Sequence, residues 1–190
     1  MIYQNILDIH SRQDFREWLK QNFNTQKECY VHVKRGKPTN NNVLWYLDAV
    51  EEALCFGWID STVRIIDGKR MQRFSPRNKK SNWTELNKER VRRLEKLGLM
   101  TDAGRKILPT TGIRNFTFDK EIETELKKAR VWTKFRRFHP LYQKVRASNL
   151  AFHKKRHPES YKRMLNHIIE ETKNEKMYGE WNDYGRLLEY

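Results

Sequence analysis

The sequence predicts an α+β fold, in which a small hairpin-centred antiparallel sheet packs with helices and a basic C-terminal helical module follows. Three observations predict it. An Asp-Gly pair at residues 67–68 separates two strand-like runs, as in a two-residue β-hairpin. Apolar residues recur at helical spacing on both sides of that hairpin and through the last third of the chain. The excess of basic over acidic residues falls almost entirely after residue 70.

Composition excludes several classes of protein. The chain has 190 residues, of which 37% are hydrophobic, and a formal net charge of +15. Such values occur in disordered chains, but aromatic residues make up 12% and recur at periodic positions, which favours a folded protein. No apolar run is long enough for a membrane span, and the N-terminus shows no secretory signal. We therefore expect a cytoplasmic protein without a transmembrane segment.

The N-terminal third contains two helices and a strand. Ser11 and Asp14 form a capping-box pattern at the start of the first helix. Residues 29–34 alternate between apolar and polar side chains, which predicts a strand. The helical period returns over residues 43–54, and Gly57 lies where that second helix should end.

The hairpin is the most informative segment. A type I′ turn at the Asp-Gly pair places Ile66 opposite Lys69. Counting outward along both strands places Asp60 opposite Ser75, with Arg73 on the same polar face. In this register Asp60 lies diagonally between arginines, within reach of a charge-assisted pair.

A helix should follow, from about Ser81 or Thr84 to Leu97. Asn87 and Arg90 fall in the middle of its apolar arc. Because buried polar groups need partners, we expect these two side chains to meet the polar face of the hairpin.

The chain divides into three parts. We predict an α+β module over residues 1–108, a linker or irregular crossing over 109–119, and a helical module over 120–190. Within the last part the apolar period indicates three helices. The first should end at His139-Pro140, and Pro158 suits the first turn of the third.

The polar residues of the hairpin and its neighbouring helices form the first candidate site. Arginines there would bind a carboxylate or phosphate, and tryptophans would provide a stacking wall. The alternative is structural, with Asp60 and Arg90 tying the hairpin to the helix. Glu52 with Asp60 would be the acid/base pair of an enzyme. The candidate ligand-binding residues are Glu52, Trp58, Asp60, Arg73, Ser75, Arg77, Trp83, Asn87 and Arg90.

The basic helices form the second candidate site. Charge alone would bind nucleic acid or another anionic surface without reading sequence, since no nucleic-acid-binding motif is present. The alternative is a solvated basic face. No metal site is predicted, because His153 and His157 lack a third ligand, and no cofactor is predicted. The candidate anion-binding residues are Lys127, Lys128, Arg130, Lys134, Arg136, Arg137, Lys154, Lys155 and Arg156.

Three blocks of sequence carry a family resemblance: EEALCFGWIDS at 51–61, RFSPR at 73–77 and SNWT at 81–84. Their combination resembles the YdeI/OmpD-associated family, also called bacteriocin-protection proteins. The segment HKKRHPES at 153–160 resembles part of that family's C-terminal helical domain. The resemblance implies a role in bacterial tolerance of bacteriocins and cationic antimicrobial peptides. It implies no reaction, cofactor or active site.

Together these observations predict a cytosolic bacterial stress-tolerance protein that binds an anionic or polar ligand and has no known catalysis. The alternative is non-sequence-specific binding of nucleic acid or an anionic surface through the basic C-terminal helices. A third hypothesis is an undescribed enzyme with its site at the Asp60/Arg90 cluster. A chain of this positive charge repels cationic peptides, so protection by simple electrostatic sequestration is disfavoured.

Overall fold

The predicted fold class is confirmed by the computed structural model, in which a four-stranded sheet and its helices are followed by a helical C-terminal part. The residues that it describes are 3–79, 81–109, 112–113 and 115–190, with all of their side chains except that of Lys155. In the predicted linker, residues 110, 111 and 114 lie outside this set. Among the described residues, no helix combines the length and the apolar content that crossing a bilayer requires.

The described residues separate into two units. The first unit comprises those within 1–82 and 90–113, together with Tyr190. The second comprises those within 83–89 and 114–189. Each unit is described in turn.

The sheet belongs to the first unit, and its strand order is β1-β2-β4-β3. Strands β1 and β2 pair in parallel, whereas β2 with β4 and β4 with β3 pair antiparallel, so the sheet is mixed. The strands are β1 (Ile6–Leu7), β2 (Cys29–His32), β3 (Trp58–Ile66) and β4 (Lys69–Pro76). The helices of the N-terminal part are α1 (Arg12–Asn22), α2 (Tyr46–Cys55), α3 (Glu85–Lys96) and α4 (Asp102–Arg105).

Local sequence signals set the limits of the first two helices. The side chain of Ser11 accepts a hydrogen bond from the backbone of Asp14 at 3.1 Å, as the capping pattern predicts. Helix α1 then buries Phe15 and Leu19. Helix α2 is buried along nearly its whole length, and Gly57 follows it with a φ of 78°, a conformation that favours glycine.

The hairpin register is confirmed near the turn and wrong beyond it. Both turn residues have positive φ, as a type I′ turn requires, and Ile66 pairs with Lys69. Farther out, Asp60 pairs with Phe74 rather than with Ser75. The register shifts because β3 contains a β-bulge just after Asp60.

The side chain of Gln72 stabilises this bulge from the opposite strand. Its Nε2 donates to the backbone carbonyl of Ser61 at 3.1 Å and lies 3.4 Å from that of Thr62. Gln72 is only 2% exposed. Its amide therefore satisfies backbone carbonyls that the interrupted ladder leaves without partners.

The bulge also changes which residues share a face of the sheet. Asp60 lies beside Phe74, which is fully buried and packs against Phe15 of α1 at 5.2 Å between ring centroids. Arg73 and Ser75 alternate with Phe74 along β4, so they face the opposite side. The prediction that Asp60 shares a polar face with Arg73 and Ser75 is therefore wrong.

The second unit is built from helices around an aromatic core. Phe135, Tyr142, Leu150 and Ile168 are among its fully buried residues. Pro158 begins the last long helix, as predicted. The helices are α5 (Lys120–Lys128), α6 (Trp132–Phe135), α7 (Pro140–Arg156) and α8 (Pro158–Lys173).

The first predicted helix of this unit does not continue to His139-Pro140. It ends where α5 ends. Arg130 adopts a φ of 58°, and the backbone N–H of Val131 donates to the carbonyl of Leu126 at 3.0 Å. These features form a Schellman motif, which ends a helix with a residue in the left-handed region. Val131 and Leu126 are both buried in the same core, and their burial opposes continuation of the helix.

Candidate functional site

The structure distributes the nine predicted ligand-binding residues between the two units. Seven belong to the first unit, whereas Trp83 and Asn87 belong to the second. Trp58 is not a pocket wall: it is 1% exposed, and its indole N–H donates to the carbonyl of Phe23 at 3.0 Å. The backbone N–H of Asn87 donates to the Thr84 hydroxyl at the start of α3.

Glu52 belongs to a buried network that the sequence reasoning missed. Its carboxylate accepts hydrogen bonds from Arg12 at 2.6 Å and from Arg16 at 2.5 Å. Glu51, which is completely buried, accepts from Arg12 and from Arg93, each at 2.8 Å. We call the following six residues the arginine–carboxylate network: Arg12, Arg16, Asp48, Glu51, Glu52 and Arg93.

The formal charges of this network cancel, since three guanidinium groups meet three carboxylates. Desolvation by burial acts to lower the pKa of Arg12, but the charges of Glu52 and Glu51 outweigh it and raise that pKa. The network therefore joins α1, α2 and α3 through charge-assisted hydrogen bonds. Glu52 is engaged by two arginines here and is not free to act as a general acid or base with Asp60.

Asp60 meets a tyrosine that was not predicted. The hydroxyl of Tyr46 donates to Asp60 Oδ2 at 2.6 Å. Burial, followed by the charge and hydrogen bond of Asp60, raises the pKa of Tyr46 to about 12, while Arg90 and Arg35 oppose this shift. Arg77 lies within electrostatic reach of Asp60, although burial lowers its pKa. The structure thus brings Asp60, Arg77 and Arg90 into one region.

Arg73 and Ser75 lie on the other face of the sheet. Arg73 Nε donates to Glu28 at 2.7 Å, and its Nη1 donates to the hydroxyl of Ser61 at 3.0 Å. The hydrogen bond to Glu28 raises the pKa of Arg73. These contacts hold the Arg73 side chain against Glu28 and Ser61, so Arg73 is unavailable to Asp60.

A pocket of about 340 Å³ lies at the sheet of the first unit. Two of its lining residues are arginines and none is acidic. Its volume falls within the range of small-molecule sites. The lining residues are His32, Val33, Arg35, Val63, Arg70 and Gln72.

Arg35 is held in position by two uncharged neighbours. Its guanidinium stacks on the ring of Tyr46, 3.7 Å from the centroid, and its Nη2 donates to Gln72 Oε1 at 2.7 Å. Tyr46 is anchored in turn by Asp60, and Gln72 by the bulge. Arg35 is therefore oriented at the pocket, yet within the described parts of the chain no carboxylate pairs with it.

Arg70 lines the same pocket from β4. Its backbone carbonyl accepts a hydrogen bond from His32 Nδ1 at 3.2 Å. Its side chain is exposed, and among the residues with assigned positions none forms an ion pair with it. Within the part of the chain that the structure describes, the two pocket arginines, Arg35 and Arg70, thus have no carboxylate that neutralises their positive charge.

A signal for these pocket residues was present in the sequence. Val31, Val33 and Arg35 alternate along one run, so they share a face if the strand geometry continues. Arg70, Gln72 and Phe74 likewise occupy every second position, so they share a face. The predicted site was built from the polar residues on the opposite face of the strand, so it did not include the pocket.

Comparison with known proteins identifies the family of the chain. The sequence profile described as Domain of unknown function (DUF8412) matches residues 7–107, which is more than half of the chain. The chain belongs to the DUF8412 family. No curated protein and no solved structure matches it.

The matched part of this DUF8412 chain contains both charged groupings of the first unit. All six pocket-lining residues and all six members of the arginine–carboxylate network fall within residues 7–107. The second unit lies largely outside the matched range. The features that the family profile covers are therefore those of the sheet and the helices around it.

The predicted basic face of the DUF8412 chain is largely engaged in contacts within its own unit. Arg136 donates to Gln143 at 2.8 Å and lies over the ring of Trp132. Arg156 lies over the ring of Phe152. The side chain of Lys155 is outside the described set. In the described structure four predicted lysines form ion pairs: Lys127 with Glu123, Lys128 with Glu125, Lys134 with Glu175, and Lys154 with Asp119 and Glu121.

Arg130 and Arg137 form no ion pair with any residue that the structure places. With most of the predicted lysines paired, the local field of this face is weaker than its count of basic residues indicates.

The described part of the DUF8412 chain contains neither a metal-binding cluster nor a reactive thiol. Across those residues, no group of three or more His, Cys, Asp or Glu side chains is arranged to hold a metal ion. Cys29 and Cys55 are both buried and unpaired as thiols. Burial raises the pKa of each, that of Cys55 to about 12, so the reactive thiolate is disfavoured.

Proposed function

We propose that this DUF8412 chain binds a small anionic ligand in the pocket that Arg35 and Arg70 line, and that it acts by binding, with no known catalysis. One observation carries the proposal. Both arginines lie at a pocket of about 340 Å³ without a carboxylate partner in the described structure. Guanidinium groups bind carboxylates and phosphates through paired hydrogen bonds, so a pocket of this kind favours an anion.

The contrast with the rest of the first unit supports this proposal. Arg12, Arg16 and Arg93 are neutralised by buried carboxylates, and Arg73 by Glu28. Arg35 is exposed and is held instead by a tyrosine ring and an amide oxygen. Its orientation is thus fixed before binding, which reduces the entropy lost when a ligand is bound.

The biological setting of the proposal comes from the sequence resemblance. The chain resembles the YdeI/OmpD-associated family, so we place the proposed binding in bacterial tolerance of bacteriocins and cationic peptides, within the cytoplasm. The net charge of +15 disfavours the cationic peptide itself as the ligand. A small anion of the cell is the ligand that both observations favour.

The binding proposal is tested with a panel of small anions. Thermal unfolding of the full chain is measured with sulfate, inorganic phosphate, succinate and citrate at constant ionic strength. A bound anion raises the unfolding temperature, because it stabilises the folded state alone. The Arg70→Gln variant should lose this rise. Arg64→Gln is the matched control, since Arg64 is also an exposed hairpin arginine but does not line the pocket.

Two results would overturn the proposal. In the first, no member of the panel raises the unfolding temperature of the unmodified chain more than that of Arg70→Gln, because sulfate and phosphate stabilise folded proteins in general. In the second, Arg64→Gln reduces the rise as much as Arg70→Gln does, which would indicate general charge attraction.

The cellular role needs a separate measurement. Deletion of the coding sequence in the native bacterium should lower survival under challenge with a cationic peptide. Re-expression of the unmodified chain or of Arg64→Gln should restore survival, whereas Arg70→Gln should not. Unchanged survival after deletion would remove the stress-tolerance role without bearing on anion binding.

A further inference from the structure

We infer that the ligand of this pocket is a compact dianion with a short apolar body, such as a small dicarboxylate or a phosphate monoester. The inference rests on the proposed function and names the ligand class for that same pocket. Its basis is the balance of charge, hydrogen-bond donors and apolar surface among the lining residues.

The charge balance sets the number of negative charges. Arg35 and Arg70 contribute two positive charges, and no acidic residue is among the lining residues. A monoanion would pair with one guanidinium and leave the other, which is exposed, to solvent. A dianion satisfies both groups. Two charges on the ligand therefore match the pocket better than one.

The hydrogen-bonding state of Gln72 argues against a neutral polar ligand. Its Nε2 is already engaged by the backbone carbonyls of the bulge, and its Oε1 accepts from Arg35. The amide at the pocket thus offers no unused donor. Nδ1 of His32 donates to the carbonyl of Arg70, and a neutral imidazole that donates from Nδ1 keeps only an acceptor, at Nε2. Recognition by donors consequently falls to the two guanidinium groups, whose preferred partners are anionic oxygens.

The remaining surface limits the body of the ligand. Val33 and Val63 are half-buried and supply the aliphatic part of the lining. Small aliphatic side chains pack well against a few methylene groups but provide no aromatic face for stacking a base. A short aliphatic chain between or beside the anionic groups fits this lining. The shared chemistry is the dianion, which carboxylates and tetrahedral oxyanions can both supply.

Matched pairs of probes separate the charge of the ligand from its shape. Titration calorimetry of the full chain at neutral pH and constant ionic strength compares succinate with its monomethyl ester, and sulfate with methanesulfonate. Within each pair the geometry is similar and the charge differs by one. We expect the dianion of at least one pair to bind about tenfold more tightly than its monoanion, which corresponds to one additional charge-assisted contact.

The variants assign this preference to the pocket. Arg70→Gln should bring the two members of the pair to similar affinity, and Arg64→Gln should preserve the tenfold difference. Discrimination within the succinate pair alone supports a dicarboxylate, and discrimination within the sulfate pair alone supports a tetrahedral monoester. Equal affinity for the monoanion and dianion of both pairs, still dependent on Arg70, overturns the dianion inference and leaves the proposed function intact. Absence of binding by all four probes overturns both.

Discussion

The first unit contains two groups of arginines that differ in what neutralises them. Arg12, Arg16 and Arg93 are half-buried and pair with three buried carboxylates in the arginine–carboxylate network. Arg35 and Arg70 line a pocket and meet no carboxylate in the described structure. The residue type is the same in both groups, so its role is decided by the partner. An arginine whose charge is neutralised inside the fold stabilises it, whereas an oriented arginine without a counter-charge is available to a ligand.

The network and the pocket should therefore respond to mutation in opposite ways. Removing a carboxylate from the network leaves desolvated positive charge, which costs folding free energy. Removing Arg70, whose side chain is exposed, leaves no buried group unsatisfied and should affect binding instead. The variants Glu51→Gln, Gln72→Leu and Arg70→Gln test this contrast.

Glu51→Gln should have the largest effect. Glu51 is 0% exposed and accepts hydrogen bonds from two arginines, so its neutralisation leaves both with excess charge. We expect the free energy of unfolding to fall by about 3 kcal/mol, near the lower end for a broken buried ion pair because the arginines retain some exposure. Urea denaturation measures this change in the free energy of unfolding. Glu95→Gln, which removes an exposed partner of Arg105, is the control and should cost less than about 1 kcal/mol. Equal losses in the two variants would contradict the prediction.

Gln72→Leu should have the next largest effect, and it links the two groups. Leucine cannot donate to the bulge carbonyls of Ser61 and Thr62 or accept from Arg35. The loss of these buried hydrogen bonds should lower the free energy of unfolding by about 2 kcal/mol. Because Arg35 also loses its anchor, anion binding should weaken in the folded variant. Retention of full affinity for the panel anions would show that the orientation of Arg35 is unimportant.

Asp119→Asn should have a smaller and pH-dependent effect. Asp119 caps α5 and binds Lys154 at 2.6 Å. Burial acts to raise its pKa, but the hydrogen bond from Lys154 and those from the backbone outweigh it and lower the pKa below 3.8. The stability that ionised Asp119 contributes is therefore present above 3.8 and lost as the pH falls through the lowered value.

Asparagine preserves the cap but not the charge, so we expect Asp119→Asn to cost about 0.5 kcal/mol at neutral pH. Urea denaturation at neutral and acidic pH should show the two proteins converging in acid. A difference that grows as the pH falls would reverse the assigned sign.

Arg70→Gln should have the smallest effect on stability. Its side chain is exposed and makes no ion pair within the described structure. We expect its free energy of unfolding to stay within about 0.5 kcal/mol of that of the unmodified chain. Circular dichroism during urea denaturation measures this, and the same samples are used for anion binding. A loss comparable to that of Glu51→Gln would place Arg70 with the structural arginines and remove the contrast.

The sequence predicted the elements of the fold better than their long-range partners. Ser11 and the Asp-Gly turn carry their own local signals, so α1 and the tip of the hairpin were placed correctly. The register failed beyond the bulge, because the bulge depends on Gln72 reaching across from the neighbouring strand. The stop at Arg130 was missed because an arginine in the left-handed region has no compositional signature.

The candidate site was predicted in part. Asp60, Arg77 and Arg90 do lie in one region, around Tyr46. Glu52 did not join them, since Arg12 and Arg16 of α1 approach it from far earlier in the chain. Such pairings depend on which helices pack together. Sequence periodicity shows which face of a helix is buried, but not which helix packs against that face. The pocket could have been found from alternation alone, because Arg35 continues the face of Val31 and Val33.

The β-bulge of β3 also affects how molecules of this protein meet. Strand β3 lies at an edge of the sheet, and Ile65 near its end is 63% exposed. A long regular edge with exposed apolar residues invites another chain to add a strand. The extra residue after Asp60 breaks the spacing of donors and acceptors, so an incoming strand cannot pair along the full length. The β-bulge that made the predicted register wrong thus also protects the protein against edge-to-edge aggregation.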